Sequence, residues 1–260
     1  MSDCEVSQLP DTYARAAIRA KDVGFTGVQI HAGHGFLLSQ FLSPLFNHRQ
    51  DQYGGSIQAR CRIIVEIIDK VRGAVGYSFP IGIKINSTDQ LEGGLTEEDA
   101  LEAIRLLDQT SVDLIEVSGG SYFPATKSSS ARASRGPYFV EFAKEAKSLT
   151  KIPVVVTGGF KNREQALNLL ESSTVDFVGM ARALVLNPDL TNDWITGTGD
   201  ELNFPRFEAP PEGDVTAWYT MLLTAIGNNS DFVLELSSAI RLYKERDETR
   251  CAKWQRKFPH

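Results

Sequence analysis

His31 and His34, two of the four histidines in the 260-residue chain, stand three residues apart across Ala32-Gly33. Two imidazole N–H groups converging on one point can hold a carbonyl or anionic oxygen and stabilise charge that develops on it. The same residues would serve equally as loop donors to backbone carbonyls. No third histidine, cysteine or carboxylate accompanies them at ligand spacing, so no metal centre is expected.

Two glycine-containing segments have a different chemistry. Gly158-Gly159 and Gly179-Met180-Ala181-Arg182 supply backbone N–H groups and one guanidinium, which together suit a phosphate dianion. Taken singly, each glycine segment is also an ordinary turn at a strand end. Lys84 is a lone cation between Ile83 and Ile85, a place where an ammonium needs a partner or a ligand.

These residues sit on a regular alternation. Tyr13, Ala14, Ala17 and Ile18 recur at helical spacing and Gly24 closes that helix. Five short β-rich runs follow: Val28 to His31, Ile81 to Ile85, Val112 to Val117, Ile152 to Val156 and Val175 to Val178. Between them lie amphipathic stretches. Ser56 opens a helix carrying Ile63, Ile64, Ile67, Ile68 and Val71 that ends near Gly76; Thr96 caps a helix with Ala100, Ala103, Ile104 and Leu107; further helices are expected over Tyr138 to Leu149 and Arg163 to Glu171.

Strands alternating with helices mean a parallel sheet with helical crossovers. Glycines recur after at least three strands, which favours a (β/α)8, TIM-type barrel over an open doubly wound sheet. Only five βα units are countable, so the α/β fold is expected as an incomplete barrel over residues 1–190. A helical extension is expected over residues 191–260, with a proline-containing loop from Asn203 to Gly213 and helices over Val215 to Ile226 and Phe232 to Arg246. The first and last strands would then be open edges, prone to aggregation or to pairing in a homo-oligomer.

Composition excludes several classes. The formal net charge is −6, which disfavours nucleic acid as a partner. No run approaches the length of a membrane span, and Met1 to Lys21 has no apolar core. Cys4, Cys61 and Cys251 form no zinc or disulfide framework, so the expected address is a reducing, cytoplasmic one. The seven basic residues among the last 20 read as a solvated helix face.

The stretch from Gly24 to Pro44 (GFTGVQIHAGHGFLLSQFLSP) closely resembles the Old Yellow Enzyme family of FMN-dependent NAD(P)H:flavin oxidoreductases, as does Asn47 to Ser56 (NHRQDQYGGS) with Arg60. Further similarity lies in Gly82 to Ser87, Glu116 to Gly120, Thr157 to Phe160, and Ala181-Arg182 with Asn187 to Leu190. The resemblance runs from about Asp11 to Leu190. It implies a barrel holding FMN at the strand C-termini, reduced by NADH or NADPH, that passes hydride to the activated alkene of a small α,β-unsaturated carbonyl. By motif, His31 and His34 would bind the substrate oxygen and Lys84 would face the flavin pyrimidine. Gly158, Gly159, Ala181 and Arg182 would hold the FMN phosphate. Arg49, Asp51 and Arg60 are expected as scaffold, an ion-paired loop beside the Ser56 cap.

The chain departs from the family pattern in several places. Phe36 stands where many relatives carry a proton-donating tyrosine, leaving water or a residue such as Tyr122 to give the proton. Lys84 replaces an arginine and Ala181 a glycine. The family's first three strands are expected before Asp11, where only ten residues lie. Two rival readings follow: a truncated or degenerate relative with little activity, or another phosphate-binding barrel enzyme in which Lys84 forms a Schiff base.

Overall fold

The five β-rich runs form one parallel sheet because their β-branched residues alternate with residues that face the other way. In the computed structural model, which describes residues 1–121, 136–198, 202–205, 214–230 and 235–258, the strands are β1 (Val28–Ala32), β2 (Ile81–Asn86), β3 (Leu114–Ser118), β4 (Val154–Thr157) and β5 (Phe177–Gly179). They pair in sequence order, β1-β2-β3-β4-β5, every pair parallel. This is the expected α/β barrel-type architecture with five βα units. Strands β1 and β5 each have one neighbour, so the sheet has two open edges among the described residues.

The described residues fall into two compact units, Met1–Met180 and Ala181–His260. In the first, α1 (Asp3–Ser7) and α2 (Leu9–Asp22) precede β1, and α2 starts ahead of Pro10, which fits the first turn because its missing N–H would have no intrahelical partner. The crossovers are α3 (Leu37–Leu42), α4 (Ile57–Val75), α5 (Glu97–Leu107), α6 (Val140–Leu149) and α7 (Arg163–Glu171). Ser56 and Thr96 cap α4 and α5 as expected, their hydroxyls accepting from Ala59 N and Asp99 N. Ile63, Ile64, Ile67, Ile68 and Val71 of α4 are buried, and so are Ile83, Ile85, Ile115, Val117, Val154 and Val156 of the sheet.

Strands β3 and β5 begin two residues later than their apolar runs suggest, and one device explains both. The Asp113 carboxylate accepts the Ile81 N–H at 2.7 Å and pairs with Arg72, and the Asp176 carboxylate accepts the Val154 N–H at 2.8 Å and pairs with Lys147. Each aspartate ties the base of its own strand to the base of the neighbouring one.

Arg49 and Asp51 form the expected ion-paired loop, joined by Asp3. Arg60 does not belong to that loop. It is a buried residue of α4 that bonds the carbonyls of Leu42 and Gly55 and pairs with Asp99 of α5 at 2.7 Å.

The second unit holds α8 (Arg182–Leu186), α9 (Leu190–Thr196), α10 (Asp214–Gly227) and α11 (Leu236–Lys257). Helix α11 runs eleven residues past Arg246, and its distal turns are exposed. Tyr122, the loop up to Gly136, most of Asn203 to Gly213 and the start expected at Phe232 lie outside the described residues. No described helix is long and apolar enough to cross a membrane.

Candidate active site

Period-two alternation puts Gln29, His31, Lys84, Glu116 and Thr157 on one face of the sheet, opposite the buried aliphatic face. His31 lies beside Lys84 and Lys84 beside Glu116 in register. The Lys84 ammonium donates to Glu116 Oε1 at 2.7 Å, Thr157 Oγ1 donates to the same oxygen at 2.7 Å, and Gln29 Nε2 reaches across β2 to Glu116 Oε2 at 2.8 Å. Burial works to raise the Glu116 pKa, but the bonds from Lys84 and Thr157 outweigh it and hold the carboxyl below its usual range.

The turn after β1 is built around Asn86. A Cβ on Gly33 would sit 2.8 Å from Asn86 Oδ1, so only glycine lets the chain pass this close. The same oxygen accepts the His34 N–H at 3.0 Å, and Asn86 Nδ2 donates to Gly120 O and Asp89 Oδ1. His34 is thereby held at φ +60°, a conformation rare for a residue with a Cβ. Its Nε2 lies 2.9 Å from Ser118 Oγ at the end of β3.

The two imidazole centroids are 5.2 Å apart with the rings at 70°, and Phe36 packs on His31 at 4.9 Å. His31 Nδ1 is buried with no hydrogen-bond partner among the described residues. Burial first, then the Lys84 charge, lowers the pKa of both histidines, that of His34 to about 4, while Glu116 pulls the other way. Both rings are therefore neutral at pH 7, each carrying one N–H.

At the end of β4 both glycines have positive φ, +107° at Gly158 and +87° at Gly159. A Cβ on Gly159 would lie 2.3 Å from Gly136 O, so packing alone requires glycine there. The Gly158 N–H donates to Gly179 O at 3.3 Å, whereas the Gly159 N–H has no acceptor among the described residues. In the second unit, Ala181 precedes the first turn of α8 with no side-chain cap, and Arg182 packs its guanidinium 6.0 Å from the Tyr219 ring centroid. The first unit thus brings His31, His34 and Lys84 together. Glu116, Asn86 and Ser118 are residues of this site that sequence reasoning did not single out. A visible signal existed for Glu116, which interrupts an aliphatic strand as Lys84 does. No cluster of metal-ligating side chains occurs among the described residues.

A parallel sheet of βα units with polar side chains gathered at its strand ends defines the class as a (β/α)8-barrel-type protein. Residues 1–200 match the NADH:flavin oxidoreductase / NADH oxidase family, and the chain belongs to that family. It is 36% identical over 230 residues to the NADH-dependent flavin oxidoreductase iliE of Neonectria sp. (strain DH2), covering 84% of this chain and 30% of that protein. It is also 36% identical over 188 residues to the NADPH dehydrogenase of Geobacillus sp. (strain WCH70), covering 72% and 53%. Among solved structures, morphinone reductase in complex with tetrahydroNAD aligns with a TM-score of 0.64 at 27% identity, over 79% of this chain and 52% of that one. The chain thus spans roughly a third to a half of the length of these relatives.

Proposed function

We propose that this polypeptide is the catalytic-face portion of an FMN-dependent NAD(P)H oxidoreductase that reduces the activated alkene of a small α,β-unsaturated carbonyl compound. The observation that carries the reading is the neutral histidine pair standing beside an ion-paired lysine on the polar face of the sheet. FMN, when bound, supplies the hydride it has taken from NADH or NADPH.

The residues present suit these groups. His31 Nδ1 has no hydrogen-bond partner among the described residues, so that nitrogen does not tie the ring to the scaffold. His31 and His34 donate N–H groups to the substrate oxygen, and as neutral donors they stabilise negative charge there as it develops. Lys84 supplies a cation for the electron-rich pyrimidine edge of the flavin. The phosphate role goes to Gly158 and Gly159, the Gly159 N–H having no acceptor among the described residues, and, by motif alone, to Ala181 and Arg182. Phe36 lacks a proton to give, so the carbon next to the carbonyl is protonated by water or by another side chain.

The rival of a scaffold with little activity is favoured by one observation, the two open edges that the sheet has among the described residues. The Schiff-base rival is disfavoured by the Lys84–Glu116 pair, which occupies the amine. The absorption spectrum of the purified protein, followed by anaerobic addition of NADH or NADPH and then a cyclic enone, tests the proposal. A flavin band, present on purification or after FMN is added, that is bleached by the nicotinamide and restored by the enone supports it, and bound FMN that neither NADH nor NADPH reduces overturns it. Arg182→Ala should weaken FMN binding by about 1.5 to 3 kcal/mol, the range for a hydrogen bond to a charged group.

A further inference from the structure

Lysine is a compact charge on a flexible stem and needs an outside constraint to present its ammonium in one direction. On this sheet the constraint is visible. Glu116 lies on the central strand β3 and accepts from three others: Lys84 of β2 and Thr157 of β4 on Oε1, and Gln29 of β1 on Oε2. Thr157 and Gln29 approach the two carboxylate oxygens from opposite sides and fix the carboxylate plane. The half-buried ammonium then has one anchored acceptor at 2.7 Å.

We propose that Glu116 is a positioning residue: with Thr157 and Gln29 it immobilises the Lys84 ammonium, sets the direction in which that cation faces a bound flavin, and offsets its charge toward the histidine pair. The inference rests on the reading of Lys84 as a flavin-facing cation, and extends it by naming what holds the lysine. The charged and titratable groups that meet on this face are His31 on β1 and His34 after it, Lys84 on β2 and Glu116 on β3. Lys84 and Glu116 act on both histidines with opposite sign. Without Glu116 the cation beside His31 would be both mobile and unopposed.

The test uses the full 260-residue chain and two readouts that do not need flavin. In a proton–nitrogen correlation spectrum of lysine ammonium groups, the Lys84 signal, identified by its loss in Lys84→Met, should be sharp in the wild type. It should vanish in Glu116→Gln and weaken in Thr157→Val, which removes one of the supports while leaving the ion pair. The His31 midpoint followed by proton NMR should fall in Glu116→Gln, because an anionic neighbour that favours the charged ring is gone. If Glu116→Gln does not fold, Glu116→Asp keeps the charge, shortens the reach by one methylene and should broaden the same signal. A Lys84 ammonium that is invisible in the wild type, or unchanged in these variants while only the melting temperature drops, overturns the proposal. FMN titration separates the two layers. Equal FMN affinity for wild type and Lys84→Met would remove the flavin-facing reading of Lys84, whereas the positioning of Lys84 by Glu116 is decided by the NMR signals alone.

Discussion

His34 Nε2 and Ser118 Oγ lie 2.9 Å apart, so the ring that follows β1 is oriented by the end of β3, two strands away. That link, together with the Asn86 bond to the His34 backbone, lets a residue of a glycine-rich turn keep a fixed position. It also buries the imidazole, with a consequence for stability.

Burial first, and then the Lys84 charge, lowers the pKa of His34 in the folded state to about 4, against 6.5 for an ordinary imidazole. Between these values the unfolded chain binds more protons than the folded one, so stability rises with pH across that window. The stability is full above about pH 6.5 and is progressively lost as pH falls toward 4; the lowered pKa of His31 acts in the same sense. Thermal midpoints measured from pH 7.5 down to 4.5 should fall for the wild type and fall less for His34→Gln. Parallel curves would mean that His34 does not carry the effect.

Phe36 is half-exposed and packs on His31, at the place where a proton donor would serve the reaction proposed for this site. Phe36→Tyr is expected to speed the step in which the enone reoxidises the flavin and to leave reduction by NADH or NADPH unchanged. General acid catalysis is typically worth about 10² to 10⁴ in rate, and an exposed tyrosine should recover the lower part of that range. Stopped-flow traces of the two half-reactions check it, and equal gains in both would point to a change in flavin exposure instead.

Gly159 sits at φ +87° with its missing Cβ directed at the Gly136 carbonyl. Gly159→Ala therefore meets backbone strain of about 1 to 3 kcal/mol and a contact that the neighbouring backbone must yield to relieve. Chemical denaturation should show a loss of at least that size. Gly55→Ala, also at positive φ but with open space around its missing Cβ, should cost less. Equal losses would show that the close approach of Gly136 adds nothing.

The fold was legible where one physical signal dominated. The isoleucine stripe of α4 and its Ser56 cap fix that helix, and short aliphatic runs ended by glycine or polar residues locate the five described strands. The short helices α1, α3, α8 and α9 were not legible, because five to seven residues hold too few turns for a periodic pattern. At the site, His31, His34 and Lys84 stood out by residue type. Ser118, Asn86 and Glu116 did not, since their roles come from cross-strand register, which a single strand's sequence does not contain. The buried role of Arg60 is not legible in the sequence because its partners, Leu42 and Asp99, lie far away in the chain.

Among the described residues, β1 bonds only to β2 and β5 only to β4, and Phe177 on β5 is 53% exposed. Unpaired strand edges invite association with other chains, and an apolar residue on such an edge strengthens the tendency. The polar face carrying Lys84 and Glu116 would also remain open to water, where charge interactions are weaker than in an enclosed barrel. The 260-residue polypeptide by itself is therefore expected to be oligomeric or aggregation-prone and to retain FMN poorly, and the same residues supplied with about three further βα units to be monodisperse and yellow. Light scattering coupled to size-exclusion chromatography, with flavin absorbance recorded on the same peak, decides between them. A monodisperse monomer of the 260-residue chain carrying stoichiometric FMN would show that five βα units suffice to shield the site.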